Sequence, residues 1–459
     1  MKTIKEARKN IVLLWRPQKL LQTVYRPMKF LLQTEVDDGL LIYNVVTSEM
    51  VLLDEKERTV FEGLPDTYNK ELDELIARHY VVAEEFDENT SVRQLRNLLK
   101  KIDPPKRVKG FTILPTTECN ARCYYCFESD HKRCTLTKEK ADDVVEYIAK
   151  LCKGEPVEIG WFGGEPLVGS KRISQICEGL KRRDIKYKSS MVSNAYLFDE
   201  NLIQIAKDEW KLTSIQITLD GTEKIYNETK AYINPKDNPY ERVLKNIGGL
   251  LKNGIVVNIR LNVTDKNYAD LNLLIDELAD RFKGEKAFSC YSHAVYEGVG
   301  FEPLTYSNQD LVDSQTVALD SKLREKGLLG NLSQLPYLRT THCMADNDAT
   351  RLIYPDGKIG KCENMPATES IGDIYDDITD REKDVWYKTV EQPPDCEKCS
   401  LFPYCFDLKP CPEAGKCSEH KRNWKKDRYT ALMKKMYQRH KDEESSAENA
   451  GSDIEECNS

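Results

Sequence analysis

Beyond residue 110 the chain alternates with a regular rhythm. Short runs dense in β-branched and apolar residues stand at Phe111–Pro115, Val157–Phe162, Tyr187–Ser193, Ser214–Leu219, Val256–Val263 and near Ala287–His293. Between them, apolar residues recur at three- and four-residue spacing over Thr137–Cys152, Lys171–Arg183, Asn201–Trp210, Arg242–Asn253 and Leu271–Phe282, the period of an amphipathic helix. Strand and helix in alternation predict a parallel sheet with right-handed crossovers. About six such units, fewer than the eight of a closed barrel, predict an open partial barrel of the α/β class over residues 106–330. In folds of this kind the active site lies where strands end and loops begin. The loop after the first strand and the loop after the second should therefore share one rim.

The first hundred residues follow another pattern. Phe30–Val36, the turn Asp37-Asp38-Gly39 and Leu40–Val46 predict a hairpin, with Met50–Leu53 as a third short strand. Asp54 is placed to cap a helix that runs to Gly63, and helical segments follow at Lys70–His79 and Val92–Lys101. Three strands and three helices suit a winged-helix-like α+β module over residues 1–102. The polar break Asp103-Pro104-Pro105-Lys106-Arg107 reads as a linker. At the other end, Asn423–His440 reads as a basic helix closing a segment from 335 to 440, and the acidic, Ser-rich residues 441–459 as a disordered tail without a core-forming pattern.

The 459 residues, 40% hydrophobic and 31% charged, are enough for several domains, and the formal net charge of -8 argues against nucleic-acid backbone binding, which needs a basic field. No stretch reaches the length of a membrane span, and Ile11–Trp15 is too short for the core of a signal peptide, so a cytoplasmic location is expected. In a reducing compartment fifteen cysteines point to metal more than to disulfides. They gather at two places. Cys119, Cys123 and Cys126 form a C-x3-C-x2-C loop directly after the first strand. Three thiolates can hold three irons of a 4Fe-4S cluster and leave the fourth open to a small molecule that chelates through an amine and a carboxylate. A zinc knuckle short of one ligand is the plainer alternative. After the second strand stands Trp161-Phe-Gly163-Gly164-Glu165-Pro166. The remaining concentration is Cys343 and Cys362, with Gly357 between them, then Cys396, Cys399, Cys405, Cys411 and Cys417. Cys134, Cys152, Cys177, Cys290 and Cys457 fall outside both and read as inert or buried thiols.

The C-x3-C-x2-C loop with Tyr125 before its last cysteine, followed by GGEP after the next strand, resembles the radical S-adenosylmethionine (SAM) superfamily. That resemblance implies SAM as cofactor, bound by Tyr125, by Gly163, Gly164 and Glu165 at its amine, by Ser193 and Asn194 at its carboxylate or ribose, and by Asp220 from the opposite side. Where the family often carries an arginine about ten residues past the Asp-Gly, this chain has Lys230, which keeps the charge and loses the bidentate fork. The later cysteines resemble the SPASM extension of radical SAM enzymes that modify peptides, a C-terminal cysteine-rich iron-sulfur domain with two auxiliary 4Fe-4S clusters. Cys343, Cys362 and Cys411 would hold the first and Cys396, Cys399, Cys405 and Cys417 the second, for three 4Fe-4S clusters in all. The run departs from the family pattern by placing five residues before Cys411. With a free iron, the first auxiliary cluster would accept a substrate cysteine; filled by Cys290 or another side chain, it would be an electron relay. Structural zinc is the competing use of these cysteines.

The resemblance implies a maturase of ribosomally made peptides, of the ranthipeptide or sactipeptide type, that forms cysteine thioethers by way of a 5'-deoxyadenosyl radical. Its partners would be a precursor peptide whose leader adds a strand to the N-terminal sheet, and an electron donor such as a ferredoxin or flavodoxin. A sulfatase-maturing enzyme is the alternative, favoured by Glu363 after Cys362 and disfavoured by the N-terminal module. An iron-sulfur peptide-binding scaffold without catalysis is the third reading, and it would not require the three-cysteine loop and GGEP intact.

Overall fold

The structure is a computed structural model and describes residues 1–15, 23–296, 305–412 and 414–456. The chain divides into two compact units, and they cut across the boundaries drawn along the sequence. One comprises Met1–Pro104, Asn331–His342 and Val390–Ser459; the other comprises Pro105–Gly330 and Cys343–Thr389.

In the first unit, β1 (Lys2–Lys5), β3 (Leu31–Val36), β4 (Gly39–Asn44) and β5 (Met50–Leu53) form a sheet in the order β1-β5-β4-β3. A second sheet, β6-β2-β7, joins β2 (Val24–Pro27), β6 (Asp66–Thr67) and β7 (Val81–Ala83). The predicted hairpin is present, with Val36 opposite Gly39 across a two-residue turn. Glycine is required there: Gly39 has φ +142°, and a Cβ on it would lie 2.2 Å from the Leu53 carbonyl oxygen. Asp54 caps α2 (Glu55–Glu62) in a reciprocal capping box with Glu57. The helices of this unit are α1 (Lys9–Leu14), α2, α3 (Asp73–Ala77) and α4 (Glu88–Ile102). The count of three strands is thus corrected to a four-stranded sheet with a separate three-stranded one. β1 pairs with β5, some fifty residues away, and its polar sequence carries no local strand signal.

In the second unit, β8 (Gly110–Ile113), β9 (Val157–Trp161), β10 (Tyr187–Ser193), β11 (Leu212–Leu219), β12 (Val256–Val263) and β13 (Phe288–Ala294) lie side by side in chain order, each parallel to the next. The crossovers carry α5 (Lys138–Cys152), α6 (Ser170–Arg182), α7 (Glu200–Asp208), α8 (Glu223–Lys230), α9 (Pro239–Lys252) and α10 (Tyr268–Arg281), and α11 (Tyr306–Glu325) follows β13. Past β8 the sheet continues through β14 (Thr350–Ile353), parallel to β8, and then the antiparallel β15 (Lys358–Gly360), β16 (Gly372–Asp373) and β17 (Asp377–Ile378), with α12 (Arg381–Tyr387) after them. An open parallel sheet leaves an edge of unpaired backbone groups, and residues 343–389 pair with it. This is why the expected boundary near 330–335 does not separate compact units.

The segment expected to be a disordered tail is instead the continuation of α13 (Glu419–Glu456). Ser445 and Ser446 return their hydroxyls to the carbonyls of Lys441 and Asp442, within the helix. Among the described residues no helix is long and apolar enough to cross a membrane.

Candidate functional site

The rim expected from the strand order is formed by contact between backbones. Gly163, just past β9, has φ +124°, and a Cβ there would lie 2.2 Å from the Thr116 carbonyl oxygen; on Gly164 it would lie 2.5 Å from that of Glu118. Those carbonyls lead directly into the cysteine loop. The Gly164 amide donates to Thr116 at 3.2 Å and the Glu165 amide to Glu118 at 2.9 Å. Two glycines are needed because no side chain fits between the strands at this point.

Glu165 then turns inward. It is 1% exposed. Its Oε1 accepts from the Ser193 hydroxyl at 2.7 Å and the Leu167 amide at 3.1 Å, and its Oε2 accepts from the Asn194 amide at 2.7 Å. Burial pushes its carboxyl up to about 7 even against those three donors. Asn194 in turn donates from Nδ2 to Asn120 Oδ1 at 2.7 Å, inside the cysteine loop. The residues expected to bind SAM at its amine and at its carboxylate or ribose thus form one knot, in which Glu165 ties the end of β9 to the end of β10.

The opposite side of the loop is held by charge. Asp220 follows β11 and Lys230 ends α8; both are buried, with Lys230 Nζ 2.9 Å from Asp220 Oδ2. The ammonium also donates to Thr218 Oγ1 at 2.6 Å and to the Tyr125 hydroxyl at 3.0 Å. Tyr125 donates to Asp220 Oδ1 at 2.6 Å and accepts from Asn262 Nδ2 at 2.9 Å. Burial by itself would depress the Lys230 ammonium; Asp220 and then Tyr125 override it and raise the group well above its ordinary value. Lys230 thus has two of its N–H donors engaged by Thr218 and Tyr125, and its charge is matched at ion-pair distance by Asp220. Its backbone carbonyl accepts from the Arg122 amide at 2.9 Å, and Asn120 accepts from Ile233 at 2.9 Å, so the chain after α8 also supports the cysteine loop.

The Cys123 charge is felt by both Cys119 and Cys126, and that of Cys126 by Cys119. Burial first, and the Glu165 charge next, push the Cys119 thiol up to about 12. Without a metal this loop holds protons, which a metal ion would have to displace. Among the described residues no three or more His, Cys, Asp or Glu side chains converge tightly enough for a single metal ion; a 4Fe-4S cluster spreads its thiolates over separate irons.

The four cysteines expected to share one site are also within electrostatic reach of each other. Burial raises Cys396 to about 11, with Asp407, Cys417, Cys399 and Cys405 adding to it in that order. Burial raises Cys405 and Cys417 as well, against the pull of Lys425. Cys343 and Cys362 belong to the second unit and Cys411 to the first. Cys290, weighed as a further ligand, is 1% exposed inside β13, and burial alone raises its thiol.

Asn262, which the strand order places at the same rim with a structural hydrogen bond as its plainer use, reaches Tyr125 and Asp220 from β12. Three participants carry no signal in the sequence for these roles: Asn120 and Thr218 work through partners distant in the chain, and Glu128 is buried with Oε1 lacking a hydrogen-bond partner among the described residues, its carboxyl pushed up to about 7 by burial.

Residues 113–278 match the family model for the Radical SAM superfamily, and the chain carries a radical SAM domain there. The radical SAM cyclopropyl synthase TigE of Paramaledivibacter caminithermalis is 24% identical over 285 residues, 52% of this chain and 59% of TigE, so the chain spans about three-fifths of that relative. The 7-carboxy-7-deazaguanine synthase of Methanocaldococcus jannaschii is 27% identical over 192 residues, 38% of this chain and 71% of that protein. Among solved structures, native anSMEcpe with bound AdoMet and Cp18Cys peptide superposes with a TM-score of 0.54 at 16% identity, over 73% of this chain and 99% of that one. That likeness shows a shared fold over most of the chain.

Proposed function

We propose that the protein is a radical SAM enzyme that matures a ribosomally made precursor peptide by forming cysteine thioethers. The observation that carries this reading is the three-cysteine loop fixed between the Gly163-Gly164-Glu165 knot and the Asp220–Lys230 pair at the C-terminal rim of a parallel sheet. Cys119, Cys123 and Cys126 would hold a 4Fe-4S cluster, and Cys396, Cys399, Cys405 and Cys417 a second. A bound, reduced cluster would supply the electron that splits SAM and yields a deoxyadenosyl radical able to take hydrogen from a peptide carbon. The rim suits a polar cofactor: Asn120 Nδ2 and Asn262 Oδ1 are buried without hydrogen-bond partners among the described residues, and a SAM ribose or amino-acid group would satisfy them. Glu165 and Lys230 act through the loop, keeping Asn120 and Tyr125 in place.

A peptide substrate is supported by the edge position of β3, whose outer side no strand pairs with among the described residues. In the β3–β4 register, closed by the two-residue turn after Val36, the backbone groups of Leu31, Gln33 and Glu35 point away from β4. Beside them lies a groove of about 400 Å³ lined by Pro27, Gln33, Glu35, Leu40, Phe61 and Leu64. An added strand would take its hydrogen bonds from the edge and place alternate side chains in the groove. TigE and the peptide-bound anSMEcpe support the general class; thioether chemistry rests on the cysteine pattern.

The test is anaerobic reconstitution with a cysteine-bearing precursor peptide, SAM and a reductant. Each bridge joins carbon to sulfur: the deoxyadenosyl radical would take a hydrogen atom from the carbon, the thiol would give up its proton, and the electron left over would return to a cluster, with one SAM consumed per bridge. The expected product is lighter by two hydrogens per bridge, with that cysteine no longer alkylable. A product bearing an aldehyde at the former cysteine would instead indicate the sulfatase-maturing chemistry, and an unchanged peptide beside active SAM cleavage would refute the substrate class.

A further inference from the structure

The four-cysteine loop and the N-terminal sheet share one core. Leu32 of β3, Leu41 and Tyr43 of β4, and Met50 and Leu52 of β5 pack with Leu401 of the loop and with Tyr429, Met433 and Tyr437 of α13, and Cys399 and Cys405 line the margin. Elsewhere in the unit Phe402 stacks on Phe30 with ring centroids 5.7 Å apart, and Cys396 borders the apolar group of Ile11, Met28, Phe30 and Leu95. Arg96 of α4, 3% exposed, donates to the carbonyls of Arg339 at 2.9 Å and Pro403 at 3.1 Å. Helix α13 starts two residues after Cys417 and reaches the hairpin turn, where the Tyr437 hydroxyl donates to Asp38 and Lys441 pairs with it at 2.7 Å.

Residues 390–417 carry little regular structure to hold this arrangement. Among the described residues they contain one short 3-10 helix, Pro394–Lys398, and an isolated bridge between Val390 and Leu408. A loop of this kind takes its order from what it packs against and from what binds its thiolates. The hairpin buries Leu32, Leu41 and Tyr43 against that loop and the helix that leaves it.

We propose that iron loading of the Cys396, Cys399, Cys405 and Cys417 centre orders the β3–β4 hairpin, so that the sheet edge offered to a peptide becomes fully formed only in the loaded protein. The proposal rests on reading these cysteines as a cluster site and is independent of thioether chemistry. Because the coupling is a free energy between two sites, occupation of the edge would favour iron retention by the same factor.

The experiment measures hydrogen exchange by mass spectrometry over residues 31–44, with β9–β12 as internal reference, using the full chain and iron with sulfide as the probe. Wild type is compared loaded, stripped by a chelator, and reconstituted. Two variants isolate the centre: the triple Cys119→Ala, Cys123→Ala, Cys126→Ala, and Cys362→Ala in the other unit. Stripping should speed exchange over 31–44 by about tenfold or more, reversibly, while β9–β12 hold. Both variants, loaded, should protect 31–44 as wild type does. Unchanged exchange on stripping, loss in either loaded variant, or equal loss in β9–β12 would overturn the proposal. Iron analysis separates the two readings: a triple variant combined with Cys362→Ala that takes up no iron refutes the cluster site itself, whereas iron uptake without hairpin protection refutes only the coupling.

Discussion

Replacing Lys230 by methionine removes the charge from a buried pair and keeps most of the side-chain volume. Asp220 would keep the Tyr125 hydroxyl and Asn262 amide on Oδ1, and Oδ2, now 2.9 Å from Lys230 Nζ, would face a methionine. Both groups are almost fully buried, so solvent cannot compensate. Removing one partner of such a pair costs about 3–5 kcal/mol, chiefly as the penalty of the charge left behind. For a unit of this size that lowers the melting midpoint by roughly 10 °C. The double variant Lys230→Met, Asp220→Asn should recover much of the loss, because no charge is then left unpaired. Melts of the metal-free protein at neutral pH, read by circular dichroism, supply the measurement. A single variant within a degree or two of wild type, or a double variant no better than the single, would refute the assignment of a stability-determining pair.

Three further outcomes are expected. Gly164→Ala should reduce SAM cleavage by about a hundredfold or more, because its Cβ falls 2.5 Å from the Glu118 oxygen and displaces the cysteine loop, whereas Gly248→Ala, in α9 with nothing within 4 Å of the added carbon, should stabilise by about 1 kcal/mol; cleavage assays and melts of both variants check this. Glu165 and Glu128 are each pushed up to about 7, above their unfolded values, so the metal-free protein should lose stability as pH rises from about 4.5 to 7, and Glu165→Gln should flatten that slope; a denaturation series against pH tests it. Asp54→Ala should cost about 1 kcal/mol by removing the cap of α2, seen as a lower denaturation midpoint with unchanged iron content.

The parallel strands were legible because burial on both faces writes continuous apolar runs, and the crossovers because one buried stripe writes a helical period. Gly163 and Gly164 were legible as a motif, and the structure adds their cause, the carbonyls of Thr116 and Glu118 lying where side chains would be. What the sequence conceals is pairing across distance. Tyr125 meets Asp220 from 95 residues away, and each alone reads as a cofactor contact. The pairing of Lys230 with Asp220 is concealed in the same way: the eight-residue helix α8 that carries it is too short to announce itself, and nothing local indicates that its charge is matched.

The cysteines illustrate the limit in another way. Their spacing suggests one C-terminal domain, yet Cys343 and Cys362 fold with the parallel sheet and Cys396, Cys399, Cys405, Cys411 and Cys417 with the N-terminal sheet. The physical reason is that neither segment has a core of its own. β14 needs the edge of β8 for its hydrogen bonds, and Leu401, Phe402 and Tyr429 need Leu32, Phe30 and Tyr43 for their burial. A ligand pattern records which atoms bind iron; which surface holds the ligands in place is settled by where apolar side chains and unpaired edges find partners.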